Sequence, residues 1–213
     1  MSNINIKIKV GCILTLLFVV IWVGVHLEAN WITSIDEWGE QVLFESSSNI
    51  VNRSFLAITS VIGNSIATGI LLVVAVIGIW LKDKRLSIWF FAAMTFSGGI
   101  VPQTLKRIIE RPRPNPYIRG GYSFPSGHAT GAIVFYGLLI ALAFIYLKKS
   151  WQRNLFVLAA TFVIILISWS RIRLGVHYTS DIIAGFFLGI GQVLIWASFL
   201  EKRKKLREEA SEL

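Results

Sequence analysis

Charge is scarce in this chain: only 15% of its 213 residues are Asp, Glu, Lys or Arg, against 54% hydrophobic residues. That balance lies well outside the average soluble composition, in which roughly a quarter of residues are charged. Cysteine is scarcer still. Cys12 stands alone inside an apolar run, so no intramolecular disulfide can form, redox chemistry is not expected, and the thiol reads as a small packing residue. There is no internal repeat, no low-complexity segment beyond a basic tail, and no linker or soluble stretch large enough for a second domain. Acid is short relative to base, 12 residues against 21, which leaves a net charge of +9. A basic excess can mark a nucleic-acid binder, but here the cations cluster at the ends of hydrophobic runs instead of along one polar face, so nucleic acid is not an expected partner.

What the chain does have is long apolar runs. Crossing a bilayer as a helix takes roughly 20 such residues, and six stretches qualify: Val10–Leu27, Phe55–Leu81, Leu86–Leu105, Ala129–Leu147, Leu155–Trp169 and Ile182–Leu200. The fifth is the shortest. The expected fold is all-α, one integral membrane bundle of six transmembrane helices over residues 1–213. Lys7 and Lys9 before the first run give it the outline of a secretory signal, but the run is long and lacks a small-x-small site, so it is read as a retained helix.

Short cytoplasmic loops carry an excess of Lys and Arg. With six spans, Lys7 and Lys9, the Lys82–Arg85 turn, the Lys148–Arg153 turn and the Lys202–Arg207 tail all fall on one side, which places both termini in the cytoplasm. Residues 28–54, 106–128 and 170–181 then face outward. The first holds one cation, Arg53, as the rule expects. The other two hold Lys106, Arg107, Arg111, Arg113, Arg119, Arg171 and Arg173 and break it. A broken topology rule calls for a functional reason, and an anion site supplies one.

Within residues 28–54, Trp31, Ile35, Trp38 and Val42 recur at helical spacing with Asp36, Glu37 and Glu40 between them, which predicts an amphipathic helix at the membrane interface. Asn52-Arg53-Ser54 fits a glycosylation acceptor, a pattern too short to carry weight. Gly185 and Gly189 have the spacing of close helix packing within the bundle.

Three outward constellations carry the chemistry. In the first, Pro112 and Pro114 end a helix near Arg111 and leave Lys106 and Arg113 at one helix end. A compact ammonium and a planar guanidinium together make an anion clamp, although cations reaching for lipid headgroups would look the same. In the second, Phe124-Pro125-Ser126-Gly127-His128 precedes an apolar run. Ser126 can cap the helix, Gly127 lets backbone N–H groups approach an anion, and His128 sits at the helix start. In the third, Ser170-Arg171 is followed by His177 and Asp181. If a helix begins near Tyr178 or Thr179, the spacing of four lets the carboxylate hold one ring nitrogen so that the other offers its lone pair. A metal site built on His128, His177 and Asp181 is the rival reading, opposed by the surrounding cations.

Lys106 with Arg113-Pro114, then Pro125-Ser126-Gly127-His128, then Ser170-Arg171 with His177 and Asp181 resembles the full three-part signature of the type 2 phosphatidic acid phosphatase superfamily, the lipid phosphate phosphatases. The motif region spans residues 106–181, and all three parts match in order without a departure. The resemblance implies that His177, oriented by Asp181, attacks phosphorus and that His128 acts as general acid. It also implies that Lys106, Arg113, Ser126, Gly127 and Arg171 bind the phosphate, with no metal and no other cofactor. The implied partners are the bilayer and a lipid phosphate, with phosphatidylglycerol phosphate, phosphatidic acid and undecaprenyl diphosphate as candidates, handled on the extracytoplasmic side of the cell membrane. Transfer of the phosphoryl group to another acceptor, and non-catalytic binding or transport of an anionic lipid, remain alternatives. The sequence leaves the oligomeric state open.

Overall fold

The computed structural model describes residues 2–43, 65–115 and 121–211. Among them the chain is helical throughout, with no strand. In chain order the elements are α1 (Ser2–His26), α2 (Asn30–Leu43), α3 (Ser65–Trp80) and α4 (Lys84–Ala93). A π-helical segment (Met94–Ile100) follows, then α5 (Val101–Ile109), α6 (Gly127–Tyr146), α7 (Ser150–Arg173) and α8 (Thr179–Ser211).

Five helical stretches among the described residues are long and apolar enough to cross a membrane: Ile4–His26, Lys84–Ile109, Gly127–Tyr146, Ser150–Arg173 and Thr179–Arg203. The second of the six expected spans is only partly described. Its residues 65–80 form α3, whose apolar part Gly69–Trp80 is shorter than a span, and residues 55–64 lie outside the described residues. So do Arg53, the Asn52-Arg53-Ser54 acceptor and Arg119.

α6 is the hub of the bundle. One apolar core gathers Leu86, Phe90, Ala93 and Met94 from the α4 stretch against Val134, Phe135, Leu138 and Leu142 of α6 and Leu200 of α8. A second joins Phe18, Ile21 and Val25 of α1, Ile32 of α2, Phe124, and Ala184 and Leu188 of α8. Small residues bring the helices close. A Cβ at Gly189 would lie 2.8 Å from Ile133 Cγ2, and one at Gly185 would lie 3.0 Å from Thr130 Oγ1, so the expected close-packing face of α8 is turned to α6 within the chain. Gly11 and Gly191 make the same kind of contact between α1 and α8, each with its prospective Cβ 2.9 Å from the other's carbonyl oxygen. Lys7 pairs with Glu201, which puts the start of α1 and the latter part of α8 at one end of the bundle. Outside the cores, Leu16, Val20, Val74, Leu158 and Phe162 are exposed. A belt of bare aliphatic side chains this wide is suited to lipid and not to water.

Two details differ from the sequence expectation. α7 does not stop at Trp169: it carries Arg171 and Arg173 in its last turn, where cations favour the negative end of the helix dipole, so the third constellation is part helix and part loop. α5 ends at Ile109, before Arg111, because Glu110 adopts the left-handed conformation (φ 52°) and turns the chain. α2 is a helix, as the spacing predicts: Trp31, Trp38 and Val42 are exposed, Ile35 is half-buried, and the neighbouring face, Ile32, Asp36 and Gly39, packs into the protein.

Candidate active site

The three constellations converge at one end of the bundle. α5 delivers Lys106 almost fully buried, and its Nζ donates to the carbonyls of Tyr122 (2.6 Å) and Ser123 (3.0 Å). Arg113 lies in the loop beyond. Its Nη1 donates to the Val176 carbonyl at 2.9 Å and its Nε to the Gly121 carbonyl at 3.2 Å, so it ties the loop before α6 to the loop before α8. Each cation is thus held at a set place by carbonyl oxygens.

Ser126 caps α6, its Oγ accepting from the Ala129 N–H at 3.4 Å. The Ser126 N–H donates to the Asp181 carbonyl at 3.2 Å and locks the start of α6 to the start of α8. Gly127 and His128 follow as the first residues of α6, where unpaired N–H groups and the helix dipole favour an anion. His128 lies within electrostatic reach of Arg171, His177, Lys106 and Arg113.

His177 precedes α8, and its Nδ1 lies 3.3 Å from Asp181 Oδ2, the contact that the spacing of four predicts. Asp181 is fully buried. Its Oδ2 also accepts from the Tyr178 N–H (2.9 Å), and its Oδ1 accepts from Arg111 Nη1 (2.6 Å). An ionised carboxylate can only accept, so Nδ1 carries the hydrogen and Nε2 the lone pair. Burial pulls the His177 pKa below its ordinary value; Asp181 opposes this, and Lys106 and Arg113 add to it. The ring is therefore neutral at pH 7.

A cavity of about 540 Å³ connects these groups, with Lys106, Arg113, Gly127, His128 and His177 at one end and Leu71, Leu72, Met94, Phe135 and Ile167 lining the rest. A polar head and an apolar body in one space match an amphiphile. Ser126, Arg171 and Asp181 do not line it. Arg171 is buried behind the wall with its Nε and Nη2 both 3.1 Å from Ser170 Oγ. Arg173 stacks on Trp169, 5.1 Å from the ring centre. The rival metal set loses Asp181, whose oxygens face Arg111, Tyr178 and His177.

Two residues escaped the sequence reading. Arg111, counted there only as one more cation, bridges Asp181 and Asp36, with Nη2 2.6 Å from Asp36 Oδ2. Burial works against its charge, but the two carboxylates more than offset this and its pKa is raised. Asp36 of α2 also accepts from the Ser180 N–H (2.8 Å) and hydroxyl (2.9 Å). The available signal was its helical register: Asp36 shares a face with Ile32 and Gly39, not with the exposed tryptophans.

Known proteins resemble this chain in sequence and in fold. The solved structure of a transmembrane PAP2-type phosphatidylglycerolphosphate phosphatase from Bacillus subtilis superposes with a TM-score of 0.79 at 26% identity, covering 90% of this chain and 96% of that one. Phosphatidylglycerophosphatase B of Bacillus subtilis is 32% identical over 114 residues, 52% of this chain and 56% of that protein. The undecaprenyl-diphosphatase of Sulfolobus acidocaldarius is 39% identical over 79 residues, 37% of this chain and 32% of its own length. These alignments span about a third to a little over half of the curated relatives. The PAP2 superfamily profile matches residues 87–205, more than half of the chain. That stretch contains all three constellations and the helices that bring them together, and on this ground the chain belongs to the PAP2 superfamily.

Proposed function

We propose that this chain is a multi-pass membrane phosphatase that hydrolyses the phosphate or diphosphate of a lipid. The observation that carries the proposal is a histidine–aspartate pair set in the wall of an amphiphilic cavity that also holds a second histidine and two fixed cations.

The reaction runs in two displacements. His177 Nε2 attacks phosphorus, the bond to the lipid oxygen breaks, and His128 supplies the proton that the departing oxygen takes up. Water then attacks the phosphohistidine, His128 accepts its proton, and the P–N bond breaks to release phosphate. Lys106 and Arg113 neutralise the phosphoryl oxygens with the Gly127 N–H, Arg171 adds its charge from outside the lining, and Ser126 caps the helix end that presents Gly127, because positioning and charge stabilisation are most of what phosphoryl transfer needs. A metal ion has no role in this scheme. The apolar end of the cavity takes the lipid body. In the membrane the one domain spans six times, both termini are cytoplasmic, and the site faces the extracytoplasmic side, in keeping with Lys7 and Glu201 at the opposite end of the bundle.

Phosphate release from a panel of lipid phosphates by purified protein in detergent with EDTA tests this reading. Release is expected in EDTA and is expected to vanish in His177→Ala. Equal release by both proteins would remove the nucleophile assignment, loss of wild-type activity in EDTA would restore a metal, and phosphate found on an added acceptor would redefine the reaction as transfer.

A further inference from the structure

The Asp181 carboxylate that holds His177 is itself held, and the hold begins on α2. Asp36 engages two groups at once. Its Oδ2 accepts from Arg111 Nη2 (2.6 Å) and from the Ser180 hydroxyl (2.9 Å), and its Oδ1 accepts from the Ser180 N–H (2.8 Å). Arg111 reaches past it, with Nη1 donating to Ser180 Oγ (2.8 Å) and to Asp181 Oδ1 (2.6 Å). The guanidinium lies 4.0 Å from the centre of the Tyr178 ring, which supports its plane. A planar fork fixed at both ends leaves Asp181 little freedom to rotate, so Oδ2 stays directed at His177 and the Tyr178 N–H.

Packing alone does not fix the histidine. On the side facing α2 a second cavity, about 240 Å³, opens between Asp36, Glu40, Asn115, Tyr178 and His177, so an untethered ring has room to turn. α2 in turn is pressed against the start of α8. A Cβ at Gly39 would fall 1.7 Å from Thr179 Oγ1, so the helix approaches as far as a glycine permits.

We propose that Asp36 is a positioning residue: by fixing Arg111 and Ser180 it sets the Asp181 carboxylate against His177, so that the seating of α2 is part of the active site. This rests on the reading of His177 as the nucleophile. α2 places its exposed Trp31, Trp38 and Val42 on the adjacent face, where lipid would hold them, so one short helix links the membrane interface to the reacting histidine.

Asp36→Asn is the test, because the amide keeps the shape and an acceptor for Ser180 while removing the charge paired with Arg111. Displacing a support of this kind lowers kcat about 10- to 100-fold. KM is expected to stay within about twofold, since Asp36 does not meet the phosphate. The chain has only three histidines, so 15N-histidine labelling in detergent resolves His177, identified by its loss in His177→Ala. Its ring-nitrogen shifts are expected to move in Asp36→Asn although Asp36 does not touch the ring. Ser180→Ala, which removes one of the two partners, serves if Asp36→Asn does not fold, with a smaller change in the same direction. Wild-type kcat together with unmoved His177 shifts would overturn the proposal. If instead the wild-type protein releases no phosphate, or His177→Ala is as active as wild type, the functional reading fails. The nuclear magnetic resonance arm then still reports whether Asp36 sets the ring.

Discussion

Replacing Asp181 by asparagine changes one oxygen to nitrogen at a fully buried position, and the surrounding donors make the outcome calculable. Three donors point at the native carboxylate: charged Arg111 at Oδ1, and the Tyr178 N–H and His177 Nδ1 at Oδ2. An amide has only one oxygen to offer. Arg111 is the strongest donor, so the oxygen stays with it and the NH2 group turns toward Tyr178 and His177. Facing a donor, His177 gives up the hydrogen on Nδ1 and carries it on Nε2, the nitrogen whose lone pair attacks in the proposed mechanism. In another histidine-based active site, the wrong tautomer forced by this same kind of exchange costs on the order of 10⁴ in kcat. For Asp181→Asn the expected loss is about 10³ to 10⁴, or about 4 to 5.5 kcal/mol of barrier at 1.36 kcal/mol per decade. Folding should suffer less. Arg111 keeps Asp36, so the variant loses charge-assisted hydrogen bonds worth about 1.5 to 3 kcal/mol without stranding a cation. The assay is steady-state phosphate release from a short-chain lipid phosphate, with thermal unfolding in the same detergent. A kcat within tenfold of wild type, or a drop matched by an equal loss of folded protein, would refute the tautomer argument.

Two further outcomes follow from the same geometry. His177 is kept neutral by burial above all, with its pKa below the ordinary 6.5. The proposed attack needs the neutral ring, so this requirement is met above that pKa and is lost as the pH drops through it. The acidic limb of kcat/KM should lie below pH 6.5, and a limb above that value would contradict the burial argument. In the bundle, Gly189→Ala drives a methyl group to 2.8 Å from Ile133 Cγ2. Overpacking of this kind costs about 1 to 3 kcal/mol, which should lower the unfolding temperature in detergent, whereas an unchanged temperature would mean that α6 and α8 lie further apart than described.

How much of this was legible beforehand depended on whether a residue's partner lies near it in sequence. His177 and Asp181 are four apart at a helix start, and Ser126 lies three residues before the Ala129 N–H that its hydroxyl caps, so local spacing gave both away. Asp36 and Ser180 are 144 residues apart, and the Gly11–Gly191 contact is longer still. No periodicity encodes such a meeting, and Asp36 on an amphipathic stretch passes for one more solvated acid. Helix ends were misjudged where charge outlasted apolar sequence: Ser150–Arg173 continues through two arginines because the end of a helix welcomes them. Five of the six apolar runs fall in helices long enough to cross a membrane, and the second is described over residues 65–80.

The π-helical segment Met94–Ile100 interrupts the long path from Lys84 to Ile109 just below the site. Ser97 within it is held by the Trp196 indole, whose Nε1 donates to its hydroxyl at 2.9 Å. A π turn accommodates an extra residue, and each residue of an α-helix advances the face by roughly 100°. The segment therefore acts as a phase shifter between two stretches that answer to different surroundings. Upstream, Leu86 and Phe90 keep their register with the α6 core. Downstream, the same helix is dialled round so that Lys106 faces the polar end of the cavity. The core and the cavity's buried lysine can thus each hold the angle they need on a single continuous rod.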